Sequence, residues 1–205
     1  MSVQDIVSTS ESSVLFNVFQ LPLLSNEKCQ ELTTTILAHR HTHPHEGSMQ
    51  KHTINVSSFL GDFLKETLKN LIPSINNLFY FGKETDFSLY TAHAVYYSAD
   101  GEGEKELRTH IDDSDITINI TLMTESLSGC EVRFLDSTEY GNEFCLQHFG
   151  KMKEKLDAGM HLHSVKPEVG TCLLHFGEHP HLTSPIYAGK RLSLILWLKK
   201  NHEEK

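Results

Sequence analysis

The chain has 205 residues, 39% of them hydrophobic and 22% charged, a length that suits one domain with a sizeable core. Its formal net charge of -9 argues against a nucleic-acid partner, because phosphate contacts need clustered Lys and Arg. No apolar run reaches the ~18 residues needed to span a bilayer, so no membrane role is expected.

Residues 1–12 read as a disordered tail, and residues 13–200 as a single domain. The first 13 residues are polar and Ser-rich, without the apolar core of a secretory signal. An intracellular protein, cytoplasmic or nuclear, is therefore expected. Cys29, Cys130, Cys145 and Cys172 are scattered, with no CxxC pair, and read as free thiols. Residues 14–19 read as a strand. Ser25 has the form of a helix N-cap, with Leu24 as a hydrophobic staple against Cys29. Cys29, Leu32, Thr33 and Ile36 continue as a helical stripe to about residue 39. The alternating His39, His41, His43 and His45 offer metal-ligand chemistry. That stretch is polar, contains Pro44 and precedes Gly47, which favours a solvated loop. Over 58–79, Leu60, Phe63, Leu64, Leu68, Leu71, Ile75 and Leu78 keep a helical period, and Pro73 is expected to break or kink it. Both helices are expected to pack on one side of a sheet and stiffen it.

From Phe87 the pattern turns to strands: 87–98, a run in which Ile116, Ile118, Ile120 and Leu122 share a face, then 130–135, 160–165, 171–176, 181–186 and 191–198. Residues 136–160 are polar and irregular and read as an inserted loop or lid. Short strands with turns every eight to twelve residues suggest a sandwich or jelly roll. The fold class is thus α+β and β-rich: a double-stranded β-helix over about 87–198 with supporting N-terminal helices.

Two places carry chemistry. His110 and Asp112 open the β-rich run, and on a strand residues i and i+2 project to the same face. One imidazole and one carboxylate are two-thirds of the His/His/carboxylate set of non-haem Fe(II) oxygenases, which leaves positions open for substrate and O2. Further on, a histidine-rich loop containing His175, His179 and His181 is followed by Arg191 and Ser193, which share a face of the last strand. An inward-facing Arg is costly unless it meets an anion, and a guanidinium fork beside a hydroxyl suits a carboxylate. Asn119 and Thr121 are expected to lie with neither the metal pair nor the aliphatic stripe, partly exposed and without a role.

Several pieces then fall in order. Tyr97 precedes His110-Ile111-Asp112. The stretch from Ser128 to Phe134 is similar to a Gly-Gly-x-Leu-x-Phe strand, with Cys130 in place of the second glycine. His181, Pro185, Gly189 and Arg191 follow. Together they resemble the Fe(II)- and 2-oxoglutarate-dependent dioxygenases, prolyl 4-hydroxylase type. By that resemblance His110, Asp112 and His181 would hold Fe(II). Arg191 would pair with the distal carboxylate of 2-oxoglutarate, supported by Tyr97 and Ser193. Ascorbate is a further cofactor that the resemblance admits. His175 and His179 compete with His181 as the distal ligand; the spacings to Pro185, Gly189 and Arg191 are counted from His181.

The implied reaction hydroxylates a C–H bond of a prolyl or other residue in a protein or peptide substrate, with succinate and CO2 as co-products. Two alternatives remain at this level: an oxygenase acting on a small molecule, and a non-catalytic metal-binding jelly-roll module for interaction or sensing. A nucleic-acid demethylase is disfavoured by the acidic balance, with Lys199 and Lys200 the basic residues that follow Arg191. A zinc hydrolase would give Arg191 and Ser193 no role. The oligomeric state is left open.

Overall fold

The computed structural model describes residues 12–15, 17–42, 52–135 and 162–201. In chain order its elements are β1 (Ser12–Leu15), β2 (Val18–Pro22), α1 (Asn26–Ala38), β3 (Thr53–Asn55), α2 (Gly61–Tyr80), β4 (Phe87–Ser98), β5 (Leu107–His110), β6 (Ile116–Gly129), β7 (Val132–Leu135), β8 (Leu162–Val165), β9 (Thr171–Phe176), β10 (His181–Thr183) and β11 (Ile186–Lys200). The strands form an antiparallel seven-stranded sheet in the order β1-β2-β9-β6-β11-β4-β3 and an antiparallel four-stranded sheet in the order β5-β10-β7-β8. From β4 onward the chain passes back and forth between the two sheets, which makes the expected double-stranded β-helix, or jelly roll.

Alternation along the long strands decides what each face does. On β6, Ile116, Ile118, Ile120 and Leu122 are buried in the main core, and on β11 so are Leu192, Leu194, Leu196 and Leu198. Ala92, Ala94 and Tyr96 of β4 and Cys172 and Leu174 of β9 join them. Cys29, Leu32 and Ile36 of α1 and Leu64, Leu71, Ile75 and Phe79 of α2 cover this face of the large sheet. The N-terminal helices thus support the sheet as anticipated, and each buried Leu or Ile contributes ~1.5–3 kcal/mol. The opposite set of side chains on the same strands mixes polar residues with apolar ones, among them Val95 and Tyr97 of β4, packed with Cys130 and Ile186, and Leu173 of β9, packed with Val18, Val132, Phe134 and Val165.

Several boundaries differ from the sequence reading. The run over 14–19 is not one strand: it divides into β1 and β2, with Asn17 at φ 62° between them, a left-handed conformation that Asn tolerates. Ser25 caps α1 as expected, its hydroxyl accepting from the Lys28 backbone N–H. Helix α2 begins at Gly61 and runs through Pro73 without a break. An internal proline costs ~3 kcal/mol; burial of Leu64, Leu71, Ile75 and Phe79 on both sides of it outweighs that. The strands expected over 130–135 and 181–186 are shorter, at Val132–Leu135 and His181–Thr183, and the last one is longer, at Ile186–Lys200.

Of the His-rich stretch, residues 39–42 form the turn after α1, where His39 stacks on Phe59 with ring centroids 4.2 Å apart. The remainder of that stretch, residues 1–11 of the expected tail and the expected loop over 136–160 lie outside the described residues. Cys29, Cys130 and Cys172 are buried free thiols. Among the described residues no helix is long and apolar enough to cross a membrane.

Candidate metal centre

His110 ends β5, but Asp112 does not share its strand. It sits in the loop between β5 and β6, where its backbone N–H donates to the Gly177 carbonyl at 2.9 Å. Alternation along one strand therefore does not bring the two side chains together; a backbone bond between two loops carries the carboxylate in. His181 begins β10 and is paired in register with His110 of β5 on one side and Phe134 of β7 on the other. His110 Nε2 lies 3.4 Å from Asp112 Oδ1, and His181 Nε2 lies 3.7 Å from Asp112 Oδ2. One ligand atom from each residue falls within 4.8 Å of the other two, a group able to hold a metal ion.

Both imidazoles are oriented by the backbone. His110 Nδ1 contacts the Arg108 carbonyl and His181 Nδ1 the His179 carbonyl, each at 2.8 Å. A carbonyl oxygen only accepts, so the protons lie on Nδ1 and both Nε2 lone pairs are left for a metal. Thr117 of β6 donates to Asp112 Oδ2 at 2.6 Å, and its oxygen also meets Ser114 Oγ at 2.8 Å. His179 is engaged elsewhere: its Nε2–H donates to the Leu135 carbonyl at 2.9 Å.

Along the same inner face lies Arg191, 1% exposed and the largest fully buried side chain among the described residues. Its Nη1 donates to the Cys130 carbonyl at 2.9 Å and its Nη2 to Asn119 Oδ1 at 3.4 Å. Gly129 and Cys130 turn through φ 78° and 57°, which aims that carbonyl. The left-handed conformation costs a non-glycine residue ~1–2 kcal/mol, which is the physical sense of a glycine at the Cys130 position. Among the described residues no carboxylate pairs with Arg191. Arg191 Nε and Ser193 Oγ are buried without a hydrogen-bond partner. Tyr97 stands opposite Arg191 in the β4–β11 register. Its ring lies 5.7 Å from the guanidinium carbon, and its hydroxyl donates to Thr183 Oγ1 at 3.4 Å. A buried cation with unused donors, a hydroxyl and a tyrosine beside it could receive a carboxylate.

Asn119 is partly exposed and off the aliphatic stripe, as expected, but it is not without a role: it accepts from Arg191. Thr121 is buried, against expectation, and both alternate with the core residues of β6 as Thr117 does. The signal was present in the run Ile116 to Leu122, where every second residue is polar. Such alternation looks the same for a solvated face and for a polar interior.

Charge is set by burial and neighbours. Burial works against ionisation of Asp112, but the His181 and His110 imidazoles outweigh it and hold the carboxyl well below its ordinary range. Burial pushes His181 well below the usual imidazole value, with His110 adding to it, and pushes His175 down to about 4. Unfolded, such imidazoles take up protons near 6.5. A folded value below the unfolded one gives stability that is full above pH 6.5 and declines as pH falls towards 4. For His175 alone that gap amounts to ~3 kcal/mol. Thermal denaturation of the metal-free protein should thus show its midpoint dropping through this window, and Asp112 should contribute loss only at more acid pH. A flat midpoint from pH 6.5 to 4 would contradict neutral buried imidazoles.

Two glycines permit close approaches. A Cβ on Gly177 would lie 2.1 Å from the Ser114 carbonyl oxygen, so the loop bearing Asp112 can sit against this backbone only if position 177 is glycine. Gly189, at φ 76°, would place a Cβ 2.0 Å from the Glu125 oxygen, two residues before Arg191. Gly177→Ala is expected to cost ~1–3 kcal/mol by overpacking and to weaken metal binding by displacing Asp112. Calorimetric titration with Co(II) beside a melting curve would test this, and unchanged affinity would break the link between the two loops. Beside Asp112 a cavity of about 660 Å³ opens between the 111–115 loop, Tyr80, Phe176, Glu178 and residues 199–200.

Two jelly-roll sheets with a His/Asp/His group between them have the fold of the 2-oxoglutarate/Fe(II) oxygenases. A prolyl-4-hydroxylase from Pseudomonas putida is 18% identical and aligns over 98% of this chain and 97% of its own, with a TM-score of 0.59. The alpha-ketoglutarate-dependent carbocyclase SnoK of nogalamycin biosynthesis is 12% identical over 97% of this chain and 85% of its own, with a TM-score of 0.69. In sequence, the chain is similar to the 2-oxoglutarate and iron-dependent oxygenase domain-containing protein 2 of Xenopus tropicalis, 31% identical over 110 residues. That match takes in 54% of this chain and 26% of the Xenopus protein. No family model matches the chain.

Proposed function

We propose that the chain is an Fe(II)- and 2-oxoglutarate-dependent oxygenase that hydroxylates a C–H bond in a prolyl or other residue of a protein substrate. The observation that carries this is the pairing of two features in one inter-sheet space: a three-ligand group with free Nε2 atoms, and a buried Arg191 that meets no carboxylate among the described residues. When bound, iron and 2-oxoglutarate supply the O2-dependent oxidation, with succinate and CO2 as co-products.

The chain's own residues do the rest. His110, Asp112 and His181 would hold the iron, and Thr117 keeps the Asp112 carboxylate turned towards the imidazoles. Arg191 and Ser193, with Tyr97, would receive the distal carboxylate of 2-oxoglutarate. Val95, Cys130 and Ile186 pack together around Tyr97 and keep that carboxylate away from water, which strengthens its pairing. Substrate would enter through the cavity beside Asp112. The peptidyl substrate is supported by the likeness to the Pseudomonas putida prolyl-4-hydroxylase along nearly the whole of both chains. A small-molecule substrate, for which the carbocyclase is the precedent, is the other outcome of a substrate screen. Mass spectrometry of peptides after turnover would show one added oxygen atom if the peptidyl reading is right.

The first test is anaerobic titration with Fe(II) and then 2-oxoglutarate, followed by visible metal-to-ligand charge-transfer absorption. Its absence with metal bound would overturn the oxygenase reading. The distal ligand has its own test. His179→Ala should retain metal, because its Nε2–H is committed to Leu135, whereas His181→Ala should lose it. The opposite pattern in a metal-content assay would move the ligand by two residues.

A further inference from the structure

His175 lies in the same inter-sheet space and has no part in the roles above. It is 1% exposed, on β9, directly across the ladder from Thr117. Its ring centroid lies 4.6 Å from that of His181 and 5.1 Å from that of Phe134. Its Nδ1 is 2.8 Å from the Phe176 carbonyl. A carbonyl oxygen cannot donate, so the proton belongs to Nδ1 and Nε2 is an acceptor only. That Nε2 is buried and has no hydrogen-bond partner among the described residues. An unpaired buried acceptor costs ~1–3 kcal/mol, and an aliphatic side chain such as the adjacent Leu174 would not incur it.

The missing partner must be a donor, which narrows its identity. The carboxylates of 2-oxoglutarate accept only. The guanidinium of Arg191 is directed at Cys130 and Asn119. His175 also stays outside the three-residue ligand group, so it is not a fourth ligand. A water on a metal is a strong donor, since the cation polarises its O–H bonds. We propose that His175 Nε2 accepts a hydrogen bond from a water carried by the metal at His110, Asp112 and His181, making His175 a positioning residue for the open side of the centre. This rests on the metal-site reading proposed above.

The test uses the wild-type protein and Zn(II) alone, with the imidazole nitrogens followed by NMR. In the metal-free protein His175 should show protonated Nδ1 and an unprotonated, unpaired Nε2. On loading, the Nε2 resonances of His110 and His181 should take on coordination shifts, and that of His175 should move upfield while remaining uncoordinated. A His175 Nε2 that keeps its metal-free shift while the other two respond would overturn this proposal and leave the metal site standing. No response from His110 and His181 would overturn the metal reading itself, and this proposal with it. As a second measurement, His175→Phe should weaken Zn(II) by about 10-fold, within the range seen for outer-shell partners. His175→Gln, which keeps an acceptor, should remain near wild type. Wild-type affinity in the Phe variant would mean that the ring is packing alone.

Discussion

Asp112→Ala is expected to lose Fe(II) by more than ~100-fold, beyond the range for outer-shell partners, because a direct ligand is removed. Turnover should vanish with it. The apo-protein should melt within a few degrees of wild type. Asp112 is 6% exposed, and replacing it removes both the burial cost of the carboxylate and the imidazole contacts that offset that cost, so in the metal-free protein the two losses largely cancel. Thr117 loses an acceptor but can donate to Ser114, already 2.8 Å away. The two readouts thus separate: metal affinity collapses while stability holds. Equilibrium dialysis with Fe(II) under anaerobic conditions, run beside a melting curve, decides it. Retained iron would remove Asp112 from the site, and a large drop in the apo melting point would show that the carboxylate is structural.

Arg191→Met should act on the co-substrate and spare the metal. Truncating one member of a buried, hydrogen-bonded charge pair costs ~2–5 kcal/mol, so 2-oxoglutarate affinity should fall by ~30-fold or more. Without 2-oxoglutarate the sign reverses. Arg191 is then a buried cation with no carboxylate partner among the described residues, and an apolar replacement of similar length should leave the protein as stable or more so. The Cys130 carbonyl and Asn119 each lose a donor, which limits the gain. Melting curves of the Mn(II)-loaded protein with and without 2-oxoglutarate give both numbers. A variant still stabilised by 2-oxoglutarate as wild type is would mean that another group receives the distal carboxylate.

Much of this protein was legible along the chain because its longest strands alternate over the stretches that line the core. Ile116, Ile118, Ile120 and Leu122 could be read as one buried face with no knowledge of what covers them. Ser25 announced a helix start, and the stripes around Leu32 and Leu71 announced helices that need a sheet to lie on. His110, Asp112, Arg191 and Ser193 stood out by residue type and spacing, Tyr97 and the choice of His181 over His175 and His179 came from the resemblance, and the structure brings all six to one space. What the chain could not show was anything that depends on which face meets which. Thr117, Asn119 and Thr121 alternate with the aliphatic residues whether their side faces water or a second sheet; only the packing of the small sheet over them makes that face an interior. Pro73 carries a local penalty that any sequence reading must count, and burial on both sides of it, a tertiary sum, overrides it. Asp112 reaches the histidines through a backbone bond to Gly177, far along the chain, and the need for glycine there arises from Ser114 on the facing loop. Local chemistry and periodicity therefore determined the elements and the candidate residues. The tertiary structure decided the side each polar residue faces, because solvation and close approach belong to pairs of segments.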